Sequence, residues 1–382
     1  MPIALYALAL AAFAVGTAEF IIAGLLPTLA ADLSVTIPTA GLLVSGYALS
    51  VAIGGPILAL LTAHLPRKPM ILAMVALYAI GHVACALAPN YATLLAARIL
   101  VALTHGLFFG NATIAAANIV PAGRRAAAMS VVLAGVPLAN LLGVPFGAAL
   151  GHWLGWRATF WCVAGLAALA TLAIAVTLPP VRDETETPPR WRTQIGVLFR
   201  HQIALSYLVL FVFLIGVLAF NTFQVPFLIA MTGVPEAATP PYLFAYGLGA
   251  ICGIFLGGRL SDWKLMPAML GGSLAYVAVS ATMLLATRSP LAMFGVMAAL
   301  GAIVYILTVP PQARIVHNSA GAPTLAATFI ATAFNLGYAA GALIGAGLLA
   351  WNFGYPSLPV IGIVAGLAAT AITLWSWRLD RT

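Results

Sequence analysis

Glu19 and Arg98 are the two charged side chains that lie deep inside apolar sequence; the other charges fall in short gaps between apolar runs or at their edges. A charge at the centre of a bilayer costs ~2.5–3.5 kcal/mol even on permissive insertion scales, so it faces a partner or a water-filled cavity and is a functional candidate. A carboxyl that exchanges a greasy surrounding for a guanidinium neighbour can bind and release a proton. One acid and one base alone in so much hydrocarbon therefore read as the coupling centre of a transporter, against the plainer alternative of a static buried ion pair. His105 follows Arg98 by seven residues on nearly the same helix face. It suits a second proton relay, a hydrogen bond to substrate, or a polar contact between helices. His82 has no such company and reads as structural.

The elements that must position these residues are membrane spans. Of 382 residues, 63% are hydrophobic and only 6% are charged. That composition excludes a water-soluble globule, in which about a quarter of residues are charged. Apolar runs long enough to cross a bilayer recur at 3–29, 39–63, 69–88, 92–118, 126–151, 157–178, 203–231, 241–263, 266–286, 290–317, 321–350 and 355–377. The expected fold is an all-α membrane protein of twelve transmembrane helices in two pseudo-symmetric six-helix bundles. Counting along the spans puts Glu19 roughly 15 Å and Arg98 roughly 9 Å below the outer surface, a difference that an arginine side chain bridges.

The net charge of +8 encodes topology. With the N-terminus inside, thirteen basic residues fall on the cytoplasmic side, Arg67, Lys68, Arg124, Arg125, Arg259 and Arg314 among them, whereas the outer loops hold only Arg157 and Arg288. This bias predicts both termini in the cytoplasm and removes the case for a nucleic-acid partner. Cys85, Cys162 and Cys252 lie in apolar spans without metal-ligand spacing and read as packing residues. The first run lacks a basic leader and a cleavage site, which predicts a retained helix.

Residues 179–202 form the longest polar interruption. Its Pro-rich first part reads as a solvated linker; Trp191, Ile195, Leu198 and Phe199 then recur at helical spacing, as in a short amphipathic helix on the inner surface, or else continue the linker. It separates an N-terminal bundle, 1–178, from a C-terminal bundle, 203–382. The halves resemble repeats offset by about 199 residues: Pro27 answers Pro226, Gly54 answers Gly253, and Gly143 with Gly147 answers Gly341 with Gly345. Duplicated halves place a substrate site between them near mid-membrane. Glu19 falls opposite Leu218 and Arg98 opposite Met297, so the ionisable machinery belongs to the N-terminal half alone.

Several motifs resemble the major facilitator superfamily, in particular its twelve-span drug/proton antiporters and their bacterial sugar-efflux-like branch, which includes exporters of arabinose, chloramphenicol and purine nucleosides. Span 1 reads Gly16-Thr-Ala-Glu19-Phe20 and then Gly24-Leu-Leu-Pro27. Span 4 carries Arg98 through His105-Gly106, similar to the motif with an intramembrane arginine. Span 5 carries Gly135-Val-Pro137, Asn140, Gly143-Val-Pro145 and Gly147, similar to the antiporter motif. Gly155-Trp156-Arg157 precedes Phe160. The resemblance covers the whole chain. It implies a proton-coupled exporter of a bacterial inner membrane, monomeric and surrounded by lipid, using the proton as coupling ion and no cofactor. It also implies that the span 5 glycines and prolines shut a leak path and that Arg67, Lys68, Arg259 and Asp262 form a cytoplasmic charge lock. The family's loop after span 2 usually carries an aspartate; Ala63 stands there, while Asp262 is retained in the second half.

Substrate contacts are expected from Phe20 and from polar and aromatic groups of the second half: Phe220, Asn221 and Gln224 in span 7, Tyr305 and Thr308 in span 10, and Asn335 in span 11. Such groups suit a neutral polar or amphiphilic ligand such as a sugar, nucleoside or drug. Half of these amides will serve helix packing instead. No Walker loop, HExxH, GxSxG in context or metal cluster occurs, so the chain reads as no enzyme. A proton symporter or facilitator importing a polar solute, a non-transporting sensor on a transporter fold, and a channel are the alternatives. Saturable exchange separates carriers from the last two.

Overall fold

The computed structural model describes residues 1–62, 65–180, 196–319 and 323–380. In hydrocarbon every backbone N–H and C=O must be satisfied within its own segment, and these apolar runs accordingly fold as helices. We number them α1 (Ile3–Asp32), α2 (Ile37–Thr62), α3 (Arg67–Ala86) and α4 (Tyr91–Asn118). α5 is built in pieces, Arg125–Leu133, Gly135–Leu138, a π-helical turn Ala139–Gly143, and Val144–Leu154; α6 is Trp156–Thr177. α7 runs His201–Asn221 and resumes as Gln224–Thr232 after a break at Thr222 and Phe223. A continuous helical run, Pro240–Ala286, is kinked at Lys264 (φ −155°, ψ 99°). Its arms, 240–263 and 265–286, are α8 and α9, followed by α10 (Pro290–Asn318), α11 (Pro323–Ala350) and α12 (Ser357–Leu379). Among the described residues eleven long apolar helices thus supply twelve crossings, because α8 and α9 share one run. Among the described residues there is no strand.

Of the linker, residues 181–195 lie outside the described residues, as do Ala63 and His64. The amphipathic-helix expectation therefore falls mostly outside them; of its apolar residues Leu198 is buried and Phe199 is exposed.

Within each half the helices form a connected bundle. α3 packs on α4 and α6, α2 on α4, and α1 on α5 and α6; in the other half α7 packs on α11 and α12, and α10 on α8 and α9. Large apolar side chains such as Val176 and Leu285 project from the surface (86% and 80% exposed), as a lipid-facing wall requires. Small residues bring α1 and α5 together. A Cβ on Gly135 would lie 2.7 Å from the Ala9 carbonyl oxygen and the Phe13 backbone nitrogen, so only glycine permits this approach.

The helix ends are closed by local chemistry. Asn90 and Thr93 form a reciprocal capping box at the start of α4, and Ser289 caps α10 ahead of Pro290. Gly155 (φ +83°) turns α5 into α6 in a single residue. That turn brings Trp156 and Arg157 to the end of α1, where the indole Nε1 donates to Asp32 at 2.8 Å and Arg157 forms an ion pair with the same carboxylate. Both charged partners are nearly half exposed. Water and salt screen such a pair, so Asp32→Ala should lower unfolding free energy by about 1 kcal/mol or less. Thermal unfolding in detergent at low and high salt checks this, and the difference should shrink as salt rises. Arg314 is 4% exposed and binds Asp380 with two hydrogen bonds of 2.8 and 2.7 Å, plus Ser376 at 2.6 Å. This clasp ties the C-terminal ends of α10 and α12 together, with Ser206 of α7 at 3.4 Å.

Candidate functional site

The two halves meet along α2 with α11 and along α5 with α8. α8 packs on α5 from Gly135 to Leu154 and makes no comparable contact with Arg125–Leu133. At the end of the seam where α8 begins, the Thr28 hydroxyl of α1 donates to Glu236 at 2.9 Å. The seam is thus closed toward that end, which the positive-inside expectation puts outside. Between the halves lies a cavity of about 30 Å³, room for about two waters. Ligand sites measure roughly 300–1,000 Å³, so the halves must separate before a substrate fits.

Glu19 and Phe20 line this cavity from α1, Asn140 and Val144 from α5, and Asn221, Thr222, Gln224, Leu243 and Tyr246 from the second half. Glu19 is partly open to it. The break in α7 is what turns Asn221, Thr222 and Gln224 toward the cavity, and interrupted helices recur at transporter binding sites. Asn221 donates to the Tyr246 hydroxyl at 2.8 Å, while the carbonyl oxygens of Asn221 and Gln224 and the Thr222 hydroxyl have no partner. Phe20 meets Tyr338 of α11 edge-on across the seam at 5.9 Å.

Arg98 lies behind this wall, 0% exposed. The expected side-chain bridge to Glu19 is not made. Arg98 Nη1 donates instead to the carbonyl oxygen of Ala18, the residue before Glu19, at 2.7 Å. Its guanidinium stacks 4.3 Å from the centroid of the Tyr47 ring, and its Nε and Nη2 have no partner. His105 is brought into the same cluster through Tyr47, 2.9 Å from its Nδ1. In this geometry His105 makes the polar contact between helices that was one of its readings. His82 also reads as structural: its Nδ1 donates to the Tyr78 carbonyl at 2.8 Å, and its ring packs on Tyr78 and Phe160.

Other sequence-selected residues lie elsewhere. Phe220 does not line the cavity; it is buried edge-on against Phe227 at 5.3 Å, inside the second half. Thr308 bonds the Val304 carbonyl of its own helix, and Asn335 donates to the Ala331 carbonyl, leaving its own oxygen unpartnered. Tyr305 reaches toward the cavity wall through a long contact with Asn140, 3.4 Å. Gly143 faces Thr17 and Gly147 faces Ile21, so both, like Gly135, belong to the α1–α5 seam; Pro137 and Pro145 flank the π-helical turn between them. Arg67 and Lys68 open α3, and Lys68 donates to the Ala175 carbonyl at the end of α6, 3.1 Å away. Arg259 and Asp262 lie in the inner end of α8. Among the described residues no ion pair joins Asp262 to a basic side chain.

Tyr47, Tyr78, Tyr246 and Tyr338 were not singled out from the sequence. A tyrosine in mid-span needs a partner for its hydroxyl, and that need was the available signal.

The profile of the Major Facilitator Superfamily matches residues 8–346. The inner membrane transport protein YdhP of Escherichia coli (strain K12) is 34% identical, covering 99% of this chain and 97% of its own length. A chloramphenicol resistance protein of Streptomyces lividans is also 34% identical, covering 93% of this chain and 91% of its own. The crystal structure of the nucleoside transporter NupG aligns over 98% of this chain and 99% of its own with a TM-score of 0.77 at 11% identity, a likeness of fold.

Proposed function

The chain belongs to the Major Facilitator Superfamily, and from that premise we propose that it is a proton-coupled exporter acting by alternating access. It is a multi-pass membrane transporter and not an enzyme. The single observation that carries the proposal is the position of Glu19, the one carboxylate on a cavity wall whose far side is built of amides, a hydroxyl and a tyrosine from the other half. Glu19 takes the proton when the cavity opens outward and gives it up inside. Arg98, one backbone unit away with two unpartnered nitrogens, is the electrostatic partner that the carboxylate gains when it loses that proton. His105 serves as a relay. Asn221, Gln224 and Asn140 supply hydrogen bonds to a small neutral or amphiphilic solute, with Phe20 and Tyr246 as flat surfaces.

The protein resides in a bacterial inner membrane as a monomer with both termini inside, in keeping with its excess of inner-loop basic residues. Resistance to chloramphenicol, which gives the Streptomyces relative its name, makes that compound a first candidate beside a pentose and a purine nucleoside. The test is internal pH in proteoliposomes as each compound is added. Proton movement opposite to the compound supports antiport. Movement in the same direction replaces it by symport, and transport without proton movement removes the coupling.

A further inference from the structure

We propose that Tyr47 is a positioning residue that decides which nitrogen of His105 accepts a proton. Each tyrosine hydroxyl has one hydrogen to donate. The Tyr78 hydroxyl lies 3.2 Å from the carbonyl oxygen of Val15, an acceptor only, so Tyr78 donates there and its hydrogen is committed. The Tyr47 hydroxyl lies 3.3 Å from that of Tyr78; with Tyr78 already engaged, Tyr47 must be the donor. Tyr47 then has nothing left to give His105 Nδ1, 2.9 Å away, and that bond forms only if Nδ1 carries the hydrogen. All three bonds are satisfied in one polarity alone, running from His105 Nδ1 through Tyr47 and Tyr78 to Val15. The free lone pair of His105 is therefore on Nε2. A proton arrives and leaves there without disturbing the chain, because Nδ1–H donates in both the neutral and the charged imidazole.

The same tyrosine carries Arg98 on its ring. Ring and hydroxyl thus set the geometry of both basic groups of the proposed coupling centre, one against the Ala18 carbonyl and one toward its open nitrogen. The network is sealed: Tyr47 and Tyr78 are each 1% exposed, and His105 is 6% exposed. Of the titratable and charged groups in this cluster, Tyr47 of α2 bonds His105, Tyr78 of α3 bonds Tyr47 with His82 beside it, and Arg98 of α4 lies on the Tyr47 ring and donates to Ala18, next to Glu19 of α1.

The role of Tyr47 in transport rests on the coupling reading above, but its role in the tautomer does not. The test reads the tautomer directly, by nitrogen-15 resonance of histidine-labelled full-length protein in lipid nanodiscs, with His105→Asn assigning the signal. Wild type should show His105 protonated at Nδ1. Tyr47→Phe keeps the ring beneath Arg98 and should lose that preference. Tyr78→Phe, which removes a hydroxyl that bonds Tyr47 and Val15 rather than His105, frees the Tyr47 hydrogen to turn toward Nδ1 and should move the histidine proton to Nε2. An Nε2-protonated wild type, or a signal unchanged in both variants, overturns the proposal. Because none of these readings requires transport, they stand or fall apart from the proton assay. A shift in Tyr78→Phe also separates ordered hydrogen bonding from a local packing defect at residue 47.

Discussion

Glu19→Gln should reduce proton-driven export to the level of empty vesicles while substrate exchange through the same protein continues. Glutamine keeps the shape of the side chain and can still hydrogen-bond a ligand, but it cannot alternate between charged and neutral forms. The cavity amides Asn140, Asn221 and Gln224 are untouched, so a labelled substrate should still trade places with an unlabelled one. One charge crossing 100 mV releases ~2.3 kcal/mol, enough for a concentration ratio of roughly 40 at 1.4 kcal/mol per tenfold. The variant should bring that ratio to about one. Accumulation of substrate against its gradient by Glu19→Gln would remove Glu19 from the coupling step. The fold should survive the change, because among the described residues the Glu19 side chain makes no hydrogen bond or ion pair that the substitution breaks.

Gly247→Val should hold the protein away from the outward-closed arrangement and suppress transport by a similar margin. A Cβ at Gly247 would stand 2.5 Å from the Cα of Leu141 and 2.6 Å from the carbonyl oxygen of Asn140. These are backbone atoms of the opposite half, which cannot rotate aside. Overpacking of this kind costs about 1–3 kcal/mol, and here the whole penalty falls on the one conformation that presses α8 against α5. A state-selective penalty of that size moves the equilibrium about 5–150-fold. The change is read by introducing a cysteine at Val144, on the cavity wall, in a background lacking Cys85, Cys162 and Cys252. Labelling by an impermeant thiol reagent added outside should accelerate. Gly258→Ala is the control, since nothing lies within 4 Å of its added carbon. Equal labelling of the two would show that the α5–α8 seam does not set access.

Residues that break the rules of hydrocarbon were legible from sequence. A carboxylate and a guanidinium in apolar runs advertise themselves, and Glu19 and Arg98 lie one residue apart in contact terms through Ala18. The crossings were legible for the same reason, even where α8 and α9 meet without a loop at Lys264. Rotation about a helix axis was not. The break after Asn221 re-aims its neighbours, so that Gln224 reaches the cavity while Phe220 turns into the second half. Thr308 and Asn335 look like ligands in a string of letters, yet each bonds a carbonyl of its own helix. Depth counting placed Arg98 within reach of the Glu19 side chain, and a backbone carbonyl nearer to hand took its hydrogen bond instead. Tyrosines passed unnoticed because they are at home in greasy sequence; Tyr47 connects Arg98, on its ring, to His105, at its hydroxyl.

The two halves are held by different means. α5 is assembled from short pieces around a π-helical turn, with Pro137 and Pro145 withholding two backbone donors. On the other side the clasp of Arg314, Asp380, Ser376 and Ser206 pins three helices at one end. In the alternating access proposed above, α5 is a place where the first half can flex, since it touches both Thr17 beside Glu19 and α8 of the second half. On the coupling reading proposed above, strain from closing the cavity would fall next to the carboxylate that takes the proton.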